Sequence, residues 1–224
     1  AAAAGGEAGG RAVGGGSDGT GRVGGVASRW GRAGAPGSAG AARVVSQTLR
    51  SLSNVRVRNV ATLGGHLAHA DPHMDLPPVL ITLGASLTIA GPSGMRRLDV
   101  ADLFGGYLET TLAPGELITE VTVPPQGERR AAYMKCTTRS ADDWPALGIA
   151  VALDGDGAAR IAIGAATDTP RRLKSVEAVL AGGALDAQVL LDAGDAAAAE
   201  FVTTHRSPEC PLAACATARL CAAP

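Results

Sequence analysis

Residues 55–83 decide how this chain is read: Val55-Arg56-Val57-Arg58-Asn59-Val60-Ala61-Thr62-Leu63-Gly64-Gly65-His66-Leu67-Ala68-His69-Ala70-Asp71-Pro72-His73-Met74-Asp75-Leu76-Pro77-Pro78-Val79-Leu80-Ile81-Thr82-Leu83. A Gly pair stands between a Thr and a His, and an Asp-Leu-Pro-Pro helix start follows. Gly64 and Gly65 permit positive φ and close approach of a ligand to the backbone. Successive amides in such a turn form a concave nest for an anion. Asp75 precedes Leu76-Pro77-Pro78, so the spacing predicts an N-cap with proline in the first turn. The stretch therefore offers an anion cradle, hydroxyl and imidazole groups, and a fixed carboxylate. That set suits a nucleotide cofactor with a pyrophosphate and a polyol chain.

Thr62 to His66, Ala68 to Asp71 and Asp75 to Pro78 also carry a family likeness. They resemble the second flavin-binding motif of the FAD subunits of molybdenum hydroxylases, nearest to the medium, flavoprotein subunit of aerobic carbon monoxide dehydrogenases. Members carry Thr-Ile-Gly-Gly-Asn, then Ala-His-Ala-Asp-Pro and Asp-Leu-Pro-Pro. Xanthine dehydrogenase has the equivalent domain. The likeness runs from about Val44 to about Gly182. It implies FAD as cofactor, with Thr62, Leu63, Gly64, Gly65 and His66 at its pyrophosphate and ribityl region. His66 stands where the family has Asn. The resemblance also gives Asp75 a hydrogen bond to the cofactor. It matches Lys135, in Tyr133-Met134-Lys135, to a flavin-site lysine, and Trp144 to an aromatic beside the flavin ring. A lysine near the ring would stabilise reduced flavin electrostatically, and an indole would offer a stacking face.

Each residue also has a plainer role. The Gly pair suits an ordinary tight turn, Asp75 a helix cap, Lys135 an exposed strand charge and Trp144 a core position. His66, His69 and His73 sit at helical spacings that suit a metal. Pro72 breaks any continuous helix across them, so metal is not the expectation.

Away from this segment the chain divides by composition. Residues 1–42 are rich in Gly and Ala and show no apolar period, which reads as disorder or as poorly defined loop. Val44, Val45, Leu49 and Leu52 mark one face of a helix. Asp75 to Leu83 reads as a short apolar helix. Ser86 to Ala90 and Met95 to Val100 read as a hairpin around Gly91-Pro92-Ser93-Gly94. Asp102 to Phe104 reads as a helical turn and Glu116 to Val123 as a strand. Pro124-Pro125 marks a boundary. Three strands follow, at Ala131–Thr137, Ala146–Leu153 and Arg160–Ala165, with Asp154-Gly155-Asp156-Gly157 as a hairpin turn. Helices are expected over Leu173–Leu180 and from Leu185 to about Val202.

The expected fold is α+β. It comprises a partial two-loop FAD-binding domain over 43–125 and a three-stranded antiparallel sheet with helices over 128–203, followed by an irregular tail over 204–224. The second domain resembles the C-terminal domain of the family's flavoprotein subunit. The family's first glycine loop, Ala-Gly-Gly-His-Ser, is not found, and Val13-Gly14-Gly15-Gly16-Ser17 is only an echo of it. This motivates a rival reading, a truncated or frame-disrupted remnant or scaffold module that no longer holds FAD.

At 224 residues and net charge −1, the chain has room for a core and no basic excess for nucleic acid or anionic membranes. No apolar run is long enough to span a bilayer and no secretory signal opens the chain, so the expected location is cytoplasmic. Cys136, Cys210, Cys215 and Cys221 match no disulfide, zinc or iron–sulfur pattern. The expected partners come from the resemblance: an iron–sulfur small subunit and a molybdenum-cofactor large subunit, in a heteromeric complex. The chain would pass electrons from the clusters through FAD to an external acceptor.

Overall fold

The computed structural model describes residues 14–15, 20–24, 41–52, 57, 60–137, 144–181 and 186–204. The sequence readings on Val13, Cys210, Cys215, Cys221 and the tail from 205 onward lie outside the described residues.

Helix α1 (Ala41–Ser51) forms where the apolar period was expected. Val44 and Leu49 on it, and Leu52 just beyond, are buried while Arg50 stays exposed. Helix α2 (Leu63–His69) follows, then α3 (Leu76–Thr82) with proline in its first turn. All seven residues of α3 are buried because it lies between two sheets. Leu76, Leu80 and Ile81 enter one core with Leu63, Leu67, Leu87 and Leu103. Val79 enters a second cluster with Val44, Leu83 and Ala150. Each fully buried Leu contributes about 1.5–3 kcal/mol, so α3 binds the two halves of the molecule firmly.

The first sheet takes the order β1-β2-β7-β3-β4 and is antiparallel throughout. Its strands are β1 (Gly14–Gly15), β2 (Gly21–Gly24), β3 (Ser86–Gly91), β4 (Gly94–Asp99) and β7 (Leu117–Val123). The β3–β4 hairpin and β7 match the sequence reading. β1 and β2 correct the expectation of disorder across 1–42. Their pairing uses backbone groups, which need no apolar side-chain period to form a sheet edge.

A 3₁₀ turn at Val100–Asp102 precedes a small hairpin, β5 (Phe104–Gly106) with β6 (Glu109–Thr110). The helical turn expected over Asp102 to Phe104 therefore starts two residues earlier, and Phe104 is already in a strand.

The second sheet takes the order β11-β10-β9-β8. Its strands are β8 (Arg130–Thr137), β9 (Pro145–Leu153), β10 (Ala159–Gly164) and β11 (Arg171–Arg172). The expected sheet had three strands. The fourth is two residues long and pairs with Ala162 and Ile163, too short to show a period. Helices α4 (Lys174–Leu180) and α5 (Ala187–Thr204) cover this sheet, and Ile161, Ile163, Val176, Leu180 and Ala193 share its core.

Gln126, at the end of the first half, donates to the carbonyls of Leu83 (3.0 Å) and Pro124 (2.6 Å) and fixes the boundary segment. A further contact joins the halves. The Ala165 amide donates to the Pro72 carbonyl at 2.7 Å. Gly164 makes that approach possible, since a Cβ there would lie 2.8 Å from Pro78 Cγ and 3.3 Å from the Pro72 oxygen.

Candidate functional site

Thr62 stands in extended backbone at the start of α2, and its Oγ1 accepts from the Gly65 amide at 3.1 Å. The residues sort themselves locally. Leu63 and Leu67 are four apart and both buried, which makes a helix face. Gly64 and Gly65 therefore lie in the first helical turn, and neither has positive φ. This corrects the nest geometry read from the sequence. The positive φ near this segment belongs instead to Ala70, at 54°, which ends α2. A Cβ on Gly65 would lie 2.9 Å from Thr62 Oγ1, so glycine there keeps the cap intact.

Asp75 stands at the N-cap position of α3, yet its side chain makes no cap hydrogen bond. This corrects its expected local role. Both carboxylate oxygens turn instead to β8. Tyr133 Oη donates to Oδ1 at 2.6 Å, and Lys135 Nζ reaches Oδ2 at 3.3 Å. Lys135 also contacts the Ser51 carbonyl at the end of α1, at 3.4 Å. The Asp75 and Lys135 side chains are only 5% and 10% exposed, so Lys135 is no exposed strand charge. Burial holds the Asp75 carboxyl above its usual range, against the opposing pull of Tyr133 and Lys135. Burial and the neighbouring carboxylate push the Tyr133 hydroxyl upward.

Tyr133 was not among the expected site residues. It stands two residues from Lys135, hence on the same strand face, which is the signal that could have found it. Gly148 on β9 makes room for it: a Cβ there would lie 2.5 Å from the Tyr133 hydroxyl.

An open cavity of about 330 Å³ lies beside this network. Leu52, Val57, His66, His69, Asp71, His73, Met74, Asp75, Lys135, Trp144 and Pro145 line it. Four of the expected residues thus meet at one place: His66 from α2, Asp75 before α3, Lys135 from β8 and Trp144 before β9. Thr62, Leu63, Gly64 and Gly65 are not part of the lining. Trp144 is 65% exposed, so it is not a core residue. Among the described residues no cluster has the makings of a metal site.

His66 Nε2 is enclosed and has no hydrogen-bond partner among the described residues. Burial first, then repulsion from His69, lowers the His66 imidazole from 6.5 to about 4, with Asp71 opposing. The fold therefore favours neutral His66. As pH falls from 6.5 towards 4, the unfolded chain gains a proton that the folded one refuses, so stability is lost in that window and is fully present above it. Urea midpoints at pH 7 and pH 5 test this. His66→Gln is expected to show a clearly smaller acid loss than the natural chain, and equal losses would contradict the assignment.

Residues 24–126 match the family described as the FAD binding domain in molybdopterin dehydrogenase. Residues 131–209 match the CO dehydrogenase flavoprotein C-terminal domain. The chain is 32% identical to the glyceraldehyde dehydrogenase medium chain of Sulfolobus acidocaldarius over 146 residues, 64% of this chain and 52% of that one. It is 31% identical to the carbon monoxide dehydrogenase medium chain of Afipia carboxidovorans over 169 residues, 73% of this chain and 58% of that one. It spans little more than half the length of these curated relatives. The solved carbon monoxide dehydrogenase of Hydrogenophaga pseudoflava superimposes with a TM-score of 0.79 at 28% identity, over 93% of this chain and 73% of that one.

Proposed function

The chain belongs to the FAD-subunit family of the molybdenum hydroxylases, and from that premise we propose that it is the FAD-binding medium subunit of a heteromeric oxidoreductase of the carbon monoxide dehydrogenase type. In this role it passes electrons from the iron–sulfur clusters of a small subunit, fed by the molybdenum cofactor of a large subunit, to an external acceptor. The cytoplasmic location expected from the sequence belongs to the same proposal. Among the described residues no helix is long and apolar enough to cross a membrane.

One observation carries the reading. Four residues singled out in the sequence, from separate elements, line a single cavity. The residues suit FAD in three respects. His66 Nε2 is an enclosed polar atom that lacks a partner among the described residues. Lys135 brings a cation to the cavity wall, with its position fixed by Asp75 and the end of α1. Trp144 offers an exposed flat apolar face to a ring system. The glycine loop supports the site from behind, through the Thr62 cap that orients α2 and so His66. FAD supplies the redox chemistry when bound. The chain's own groups hold and orient it. Lys135 adds positive potential, tempered by its pairing with Asp75.

Co-expression with the small and large subunits tests the proposal. A heteromeric complex containing this chain and flavin is expected, with no substrate turnover by the chain alone. Repeated failure of those subunits to co-purify with it would count against the reading. Failure to take up FAD as well would point to the scaffold-module alternative.

A further inference from the structure

One side chain of the cavity is prepared for a ligand yet has no assigned role. His73 follows Asp71 and Pro72, and its backbone amide donates to Asp71 Oδ1 at 2.8 Å. The His73 ring Nδ1 lies 2.9 Å from the same oxygen. A carboxylate accepts, so in the neutral ring Nδ1 carries the proton and Nε2, on the other side, keeps a lone pair. Asp71 is buried and the His73 side chain is 34% exposed, so a fixed base orients a partly open ring. His69 Nε2 lies 3.9 Å from the second Asp71 oxygen and completes the surroundings of the carboxylate. The His73 ring also packs against Trp144, with centroids 5.3 Å apart and planes tilted by 50°. Both rings line the cavity, as does His66, whose buried Nε2 has no partner among the described residues.

We propose that His73 is a further ligand-binding residue of this cavity: Asp71 fixes its tautomer, and Nε2 accepts a hydrogen bond from a ring N–H of the occupant lying by Trp144. The inference rests on the flavin reading above. There the donor is the imide N–H of the isoalloxazine ring. Contact with Trp144 favours the ring end of the cofactor over its polyol, because a flat exposed indole suits a flat partner. Asp71 acts through His73 and is a positioning residue.

Two measurements on the full chain test this. The first compares FAD with FAD methylated at the imide nitrogen, using the natural chain and His73→Phe, which keeps a ring against Trp144. Methylation is expected to weaken binding to the natural chain roughly 2- to 10-fold more than binding to His73→Phe, the range for one hydrogen bond to a ligand. Equal ratios in the two proteins would overturn the assignment while leaving the flavin reading intact. A natural chain that binds neither flavin would overturn both. The second needs no ligand. In the neutral ring, nitrogen NMR shifts are expected to show His73 protonated at Nδ1 and bare at Nε2, and a mixture of tautomers in Asp71→Asn. A protonated Nε2 with a bare Nδ1 in the natural chain would overturn the proposal.

Discussion

Asp75→Ala is expected to lower the free energy of unfolding by about 3–5 kcal/mol, the cost of breaking a buried ion pair by removing one partner. Among the described residues Lys135 then keeps the Ser51 carbonyl alone, and the Tyr133 hydroxyl loses the Asp75 oxygen. Against a typical domain stability of about 5–15 kcal/mol this is a large loss. Asp75→Ala with Lys135→Met removes both charges and should recover a good part of it. Separately from the pair itself, burial raises the Asp75 carboxyl, so ionising it costs stability: this titration term is fully favourable below the unfolded carboxylate range and is lost as pH rises through the folded value. That slope runs opposite to the one from His66, and the alanine variant should lack it. Urea denaturation across pH reads both effects. A loss under about 1 kcal/mol, outside the range for a buried pair, would mean that the network is not a structural tie.

Gly164→Val is the second large effect expected. The new Cβ would meet a proline ring at 2.8 Å and the Pro72 carbonyl at 3.3 Å, and neither can rotate away. Overpacking of this kind costs about 1–3 kcal/mol. Losing the Ala165–Pro72 hydrogen bond adds about 0.5–1.5 kcal/mol. The segment that displays His73 and Asp75 would shift off the second sheet, so ligand affinity should fall along with stability. Gly155→Ala serves as a control, because its nearest neighbour would be Glu128 Oε2 at 3.9 Å. Equal stability of the two variants would contradict the packing account.

The elements legible in the sequence are those whose signal is local. The apolar face of α1, the Pro-Pro start of α3, the Gly91–Gly94 hairpin and the Asp154–Gly157 turn each lie within a few residues. β2 and β11 were invisible because they join sheets through backbone groups, with no side-chain period of their own. The Gly64-Gly65 pair misled, since glycines suggest a turn. Thr62 three residues before Gly65, with Leu63 and Leu67 four apart, already spelled a capped helix. Asp75 was placed correctly at a helix start but given the wrong local partner. Its partners Tyr133 and Lys135 lie 58 and 60 residues further on, where only the folded sheet brings them. The convergence of His66, Asp75, Lys135 and Trp144 was legible only through family likeness, because no spacing rule links four separate elements.

Whether this cavity belongs to an FAD site is read from flavin uptake. Titrating the purified full chain with FAD, and following the visible flavin bands after removal of free ligand, tests it most directly. Saturable uptake approaching one flavin per chain is expected, with weaker uptake in Lys135→Met. A colourless protein that retains none of the added FAD would contradict it.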